Sequence, residues 1–198
     1  MRRFGPLIFC IALFLSLWDS ACLERREAAL SEKVLRLHVR ADGNGPAAQG
    51  RKLLVRDTLA LSLSPLLSGS PDRDAAAERV KAALPELQLR AEAALEALGE
   101  PERVRLSLRR EAFPARSYPG VTLPAGEYLA LRADLGAAGG KNWWCVVWPP
   151  LCLAVSEEET EDAWDAFSPG ERKLMTDRGV VLRSRLLEWF RRVFGVGS

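Results

Sequence analysis

The stretch NWWCVVWPPLC, Asn142–Cys152, places Trp143, Trp144, Trp148, Cys145 and Cys152 within eleven residues. Read as a strand, it sets Trp143, Cys145 and Val147 on one face and Trp144, Val146 and Trp148 on the other, because successive side chains alternate. Both faces are apolar. Such a strand is either central and covered on both sides, or covered on one side with an apolar patch on the other. Pro149 and Pro150 remove two backbone donors and end it, so the chain can fold back at Cys152. Pairing Cys145 with Cys152 depends on that reversal: seven extended steps span roughly 24 Å, whereas bridged α-carbons lie about 5.5 Å apart.

The partners for this strand are legible as alternation. Val34–Arg40 switches between apolar and polar residues at period two, as a half-buried strand does. Val104–Glu111 does the same, with Val104, Leu106 and Leu108 opposite Arg103, Arg105, Ser107 and Arg109, and Glu127–Leu135 gives a third strand. Between the first two lie helical patterns. Asp42-Gly43-Asn44-Gly45-Pro46 reads as a turn into a helix over residues 47–63, with Leu54, Thr58 and Leu61 inward, Arg51, Lys52, Arg56 and Asp57 wet, and Pro65 as its end. Residues 72–98 form helix interrupted or kinked at Pro85, with Gly99 as the stop. Pro114, Pro119-Gly120 and Pro124-Ala125-Gly126 punctuate a connection. The last third is helical: Ser156–Glu159 and Ser168–Glu171 have capping-box form, and Val181–Phe194 carries Leu182, Leu186, Trp189 and Val193 on one stripe. The expected fold is α+β, a mixed or antiparallel sheet of about four strands covered by helices, with a helical C-terminal extension.

At the other end, Arg2 and Arg3 precede an apolar run from Phe4 to Trp18 and then Asp19-Ser20-Ala21-Cys22, the layout of an export signal. The run is shorter than the roughly twenty residues of a full span, which favours a cleaved signal over a permanent anchor. Cys22 stands where a lipid-attachment cysteine would, and Asp19 departs from both cleavage patterns. Residues 1–21 are therefore read as a signal peptide or N-terminal membrane segment, 22–33 as a linker, 34–155 as the α+β core domain and 156–198 as the helical extension. With Cys10 in the signal and Cys22 lost or lipidated, export leaves Cys145 and Cys152 as an even pair in a compartment where thiols can oxidise.

The chain offers little chemistry. His38 is the sole imidazole, so a cysteine hydrolase would have to pair it with Cys145, and a serine triad would need the same ring without a Gly-x-Ser-x-Gly turn to hold a nucleophile. Zinc bound by Cys145, Cys152 and His38 lacks the short ligand spacings of a zinc site. The Gly43-Asn44-Gly45 loop lacks the further glycine of a dinucleotide fingerprint and the Lys-Ser/Thr of a P-loop. Glu127, Asp134 and the acidic 157–165 stretch offer carboxylates for acid-base work, though capping and solvation explain that stretch better. A net charge of +2 gives nucleic acid no strong field to follow. No catalytic residue, metal or cofactor is assigned. An exported domain of this kind leans toward recognition, with His38, Trp143, Trp144 and Trp148 as candidate partner-binding residues.

Several separated motifs, in order, carry a family resemblance. They are Leu35-Arg36-Leu37-His38-Val39, Gln49, Val55-Arg56-Asp57, Phe113-Pro114, Leu123-Pro124-Ala125-Gly126-Glu127-Tyr128, Ala130-Leu131-Arg132, Asn142-Trp143-Trp144-Cys145-Val146, Pro149-Pro150-Leu151-Cys152 and Glu188-Trp189-Phe190. Together they resemble the stage II sporulation protein R family. The resemblance implies a signalling protein of endospore formation, exported from the forespore into the space between the two membranes. There such a protein triggers a membrane-bound aspartic peptidase, stage II sporulation protein GA, which removes the pro-sequence of sigma factor E. It would be a ligand working near a membrane. The leading alternative is a secreted cell-wall or peptide hydrolase using Cys145 and His38, and a second is a purely structural envelope protein.

Overall fold

Two apolar faces on one strand demand two covering layers, and the computed structural model, which describes residues 18, 21–118, 121–150 and 167–176, supplies them. A four-stranded mixed sheet runs in the order β2 (Val104–Phe113), β5 (Gly126–Leu135), β1 (Leu35–Arg40), β6 (Asn142–Trp148). β1 lies parallel to β5 and antiparallel to β6, and β2 pairs antiparallel with β5. Parallel neighbours need a long crossover. Here α2 (Pro46–Leu67) and α3 (Arg73–Ala97) begin it and cover one face, as expected for the helices after the first strand. Leu35, Leu37 and Val39 of β1 meet Val55, Leu59 and Leu63 of α2 and Val80, Leu87 and Leu95 of α3 in that core.

The second face is closed over part of its length. Residues 21–31 form a helix, α1, in the region read as a linker, and its Leu30 is fully buried. A two-stranded hairpin, β3 (Arg116–Tyr118) and β4 (Val121–Leu123), occupies the Pro/Gly-punctuated connection. A helix α4 (Pro169–Thr176) completes the cover. Leu30, Val121, Leu123, Phe167 and Met175 from these pieces pack on Phe113, Tyr128, Ala130 and Val146 of the sheet. α4 starts where its capping box places it. The Ser168 backbone N–H donates to Glu171 Oε2 at 2.8 Å, and the Glu171 N–H to Ser168 Oγ at 3.4 Å. The other proposed helix starts, Ser156 and Val181, lie outside the described residues.

Several local expectations are corrected. α2 continues past Pro65 to Leu67, because Leu67 is packed in the core and one lost backbone bond does not outweigh it. Its buried stripe is Lys52, Val55, Leu59 and Leu63, while Leu61 is 78% exposed. Apolar residues on nearly every side of α2 left two helical stripes to choose from, and the sheet selects the other. α3 runs through Pro85 as one helix and ends at Gly99, whose φ of 71° suits a residue without Cβ. β6 is an edge strand rather than a central one, covered on both faces from Cys145 to Val147 and more exposed toward Asn142. β1 is buried on both faces, so Arg36 and His38 are interior and not wet.

The turn after β1 is structural. Asp42 Oδ1 accepts from the Ala137 N–H at 2.7 Å, Asn44 Oδ1 from the Lys141 N–H at 2.9 Å, and Gly140 donates to the Ala41 carbonyl at 2.8 Å. These bonds tie the β1–α2 turn to the β5–β6 turn. A Cβ on Gly140 would stand 2.3 Å from the Gly43 carbonyl oxygen. Because that oxygen belongs to stitched backbone, Gly140→Ala should cost about 2–3 kcal/mol in urea unfolding. Gly43→Ala, whose Cβ meets nothing within 4 Å, should stay within about 1 kcal/mol of the parent. Equal stabilities for the two variants would mean that the turns are not locked together.

Candidate functional site

The second face of the sheet changes character along its length. At the closed end sits Arg36, fully buried, its guanidinium carbon 4.1 Å from the Phe113 ring centroid and 4.8 Å from that of Tyr128. Its Nη2 donates to the Tyr118 hydroxyl at 2.5 Å, and that hydroxyl donates to the Trp144 carbonyl at 3.4 Å. Tyr128 donates to the Pro124 carbonyl at 2.8 Å, and burial pushes its phenol far up. A desolvated cation over aromatic faces is held by their quadrupoles.

One register step toward the open end, the row becomes polar: Ser107 of β2, Arg132 of β5, His38 of β1 and Trp144 of β6 are cross-strand neighbours. His38 is 4% exposed. Its Nδ1 donates to Glu111 Oε1 at 2.6 Å, and its Nε2 lies 3.0 Å from Asn142 Oδ1, a bond in which the ring donates when doubly protonated. The imidazole stacks on Trp144 with centroids 3.7 Å apart and meets Phe113 edge-on. From Glu111 the chain of charges continues to Arg132 at 3.3 Å, and from Arg132 to Asp134 at 2.9 Å. Arg109 reaches Glu111 at 3.8 Å and Arg40 reaches Asp134 at 3.9 Å. Burial raises the Glu111 carboxyl, but the hydrogen bond and charge of His38 and the charge of Arg132 outweigh it and hold the group below its ordinary 4.5.

His38, Phe113, Tyr128, Arg132, Asn142 and Trp144, from distant motifs, thus meet on one face, and this is what marks it as the candidate site. The three strand tryptophans do not form one surface. Trp144 lies here, while Trp143 is on the helix-covered side at the rim, 37% exposed beneath the Arg56 guanidinium at 4.3 Å. Trp148, expected beside Trp144, packs with the helix-side core. The pairing slips between Leu35↔Trp148 and Arg36↔Val146, a bulge that turns the end of the strand over.

The Cys145–His38 pairing is not assembled. Cys145 is opposite Leu37 and joins the helix-side core, whereas His38 projects from the other face. A thiolate and its base must share hydrogen-bond reach, and a sheet separates these two. Cys152 lies outside the described residues, as do residues 1–17 of the signal. Cys22 is half-buried within α1. Among the described residues no group of three His, Cys, Asp or Glu is placed to hold a metal ion, and no helix is long and apolar enough to cross a membrane. Glu111 and Arg40 were not singled out from sequence, though each occupies the polar phase of an alternating strand; Asp134 was weighed only as an acid-base carboxylate and Arg36 only as part of a family motif.

The sequence model of Stage II sporulation protein R matches residues 31–158, which take in all six strands of the described residues. The curated Stage II sporulation protein R of Bacillus subtilis (strain 168) is 28% identical over 174 residues, covering 79% of this chain and 78% of that protein. No solved structure matches.

A carboxyl depressed on folding contributes stability that is complete above its unfolded value and lost as pH falls through the folded one. Glu111→Gln should therefore cost about 2 kcal/mol in denaturant melts near pH 5.5, with the gap closing as pH falls below the ordinary carboxylate value of 4.5. A gap unchanged by pH would mean that the carboxylate charge does not hold the row together.

Proposed function

We infer the function of this chain from its kinship: it belongs to the stage II sporulation protein R family, and a role in sporulation follows. We propose that it is an exported signal of endospore formation, leaving the forespore to work between the forespore and mother-cell membranes. There it would activate stage II sporulation protein GA, the membrane-bound aspartic peptidase that trims the pro-form of sigma factor E. The observation that carries this reading is the family match across the whole sheet, β1 to β6. Arg2, Arg3 and the apolar run Phe4–Trp18 support export, and a retained or lipidated N-terminus at Cys22 would keep the domain near the membrane, raising its effective concentration at the peptidase.

The geometry supports a ligand over a cysteine hydrolase. With Cys145 buried among aliphatic side chains on the face away from His38, the thiol has no imidazole to activate it. Aromatic and charged groups gathered on an open face serve recognition instead. A disulfide between Cys145 and Cys152 stays part of the proposal as a structural brace.

Co-production of the chain, the peptidase and pro-sigma factor E in a host without other sporulation proteins tests the reading. Processing is expected only when all three are present. Cys145→Ala should retain processing within about twofold while losing about 2–5 kcal/mol of stability, since it removes the proposed brace as well as buried volume. Abolished processing by a folded Cys145→Ala protein would restore thiol chemistry and sink the ligand reading.

A further inference from the structure

The open end of the second sheet face carries more cation than its own carboxylates absorb. Arg105 opposes Asp134 across β2 and β5, Arg109 opposes Ala130, Arg132 lies beside His38, and Arg40 beside Asp134, so all four arginines share one face. Glu111 and Asp134 are the acids among them. Glu111 is divided among His38, Arg132 and Arg109, and Asp134 between Arg132 and Arg40. Each guanidinium has five N–H donors and no acceptor, so this surface is rich in donors and poor in acceptors. Arg105 and Arg109 are exposed, whereas Arg132 and Glu111 show only 13% and 10% of their side chains. The inner groups are fixed; of the outer ones, Arg105 gives one N–H to the Gly136 carbonyl and Arg40 one to the Ala138 carbonyl, which anchors both guanidinium groups and leaves their other donors for a ligand. The stacked pair His38–Trp144 floors the patch on the β6 side.

We propose that this face docks an extended acidic segment of a protein partner, its carboxylates seated on Arg105, Arg109 and Arg40 and its backbone or an apolar residue over Trp144. The inference rests on the reading above and names the chemistry by which the peptidase would be recognised. Alternate residues of an extended segment repeat at about 6.8 Å, as Arg105, Ser107 and Arg109 do along β2, so acidic side chains spaced four apart fall into register with Arg105 and Arg109. Guanidinium groups also match carboxylates in two-pronged geometry. An anionic lipid surface fits less well. It would meet Glu111 and Asp134 together with the arginines, and among the described residues the face presents no protruding apolar side chain to insert, since Trp144 is held half-buried against His38.

The experiment uses the full chain in the co-production assay. Arg105→Glu combined with Arg109→Glu should lower processing at least tenfold, and the corresponding Gln pair by a smaller factor, with thermal unfolding within a few degrees of the parent. Arg90→Glu, on the exposed side of α3, should process as the parent does. If the parent itself supports no processing, the functional reading fails and takes this inference with it. If the parent processes and the double reversal matches it, only the docking face is overturned. Should the reversed protein be unfolded, the Gln pair decides by the same criterion. Flotation with phosphatidylglycerol-containing vesicles should not depend on these arginines, and an arginine-dependent flotation would assign the face to lipid. An arginine-dependent dimer in sedimentation would assign it to a second copy of this chain. Either result overturns the acidic partner.

Discussion

A guanidinium with no surface of its own has to be compensated from within, and Arg36 imposes that condition on the middle of the sheet. Its Nη2 bonds to Tyr118, while Nε and Nη1 have no hydrogen-bond partner among the described residues. What stands in for water is aromatic: Phe113 at the end of β2, Tyr128 on β5 and Tyr118 on β3 bring their rings within 4.1 to 5.9 Å of the cation. An isolated buried charge would be costly, and each cation–π contact offsets about 1–2 kcal/mol when desolvated. The cage works only if the hairpin folds back over the sheet and α1 and α4 seal it. The second layer of the fold is thus tied to one strand residue of the first.

That closure also sets where the layer stops. Toward the open end of β1 the next inward-phase residue on the same face is His38, and its neighbours are polar rather than aromatic except for Trp144. The network from Asn142 through His38, Glu111 and Arg132 to Asp134 crosses all four strands. Cross-strand charge pairs of this kind fix register as well as adding energy, since a slip of one residue would exchange the network with the aliphatic row beneath it. The candidate site is therefore rigid because it is the sheet's own register, not a loop appended to it. On the opposite face the same register buries Cys145 and leaves Trp143 at the rim, so a single alternation separates what is packed from what is presented.

What the sequence revealed follows the range of the interactions involved. β1, β2, β5 and β6, the Gly99 stop and the Ser168–Glu171 cap depend on residues within a turn or a strand of one another, and all were readable. The β3–β4 hairpin was not, because its strands are three residues each and sit among prolines that read as punctuation. One contact that seats it, Tyr118 to Arg36, joins residues 82 apart in the chain. His38 was read as a binding candidate for its rarity, while the carboxylate that holds it, Glu111, is 73 residues distant and indistinguishable in sequence from any other polar strand position. The bulge that moves Trp148 off the Trp144 face leaves no mark in a run that is apolar at every position.

Those failures share a cause that bears on function. Period-two reading assumes that the polar phase of a strand points to water, and here the polar phase of β1 points into a second core at Arg36 and into a charge network at His38. Polar residues kept inside a sheet add less stability than aliphatic ones would, since their desolvation cancels much of what they gain. Their presence is better accounted for by what they position at the surface. Arg132 and Glu111, nearly enclosed, hold Arg109 and His38 at fixed places, and Trp144 lies flat where His38 stacks on it. A face assembled this way is organised before any partner arrives, so a binding partner meets donors already in place and loses less to ordering them.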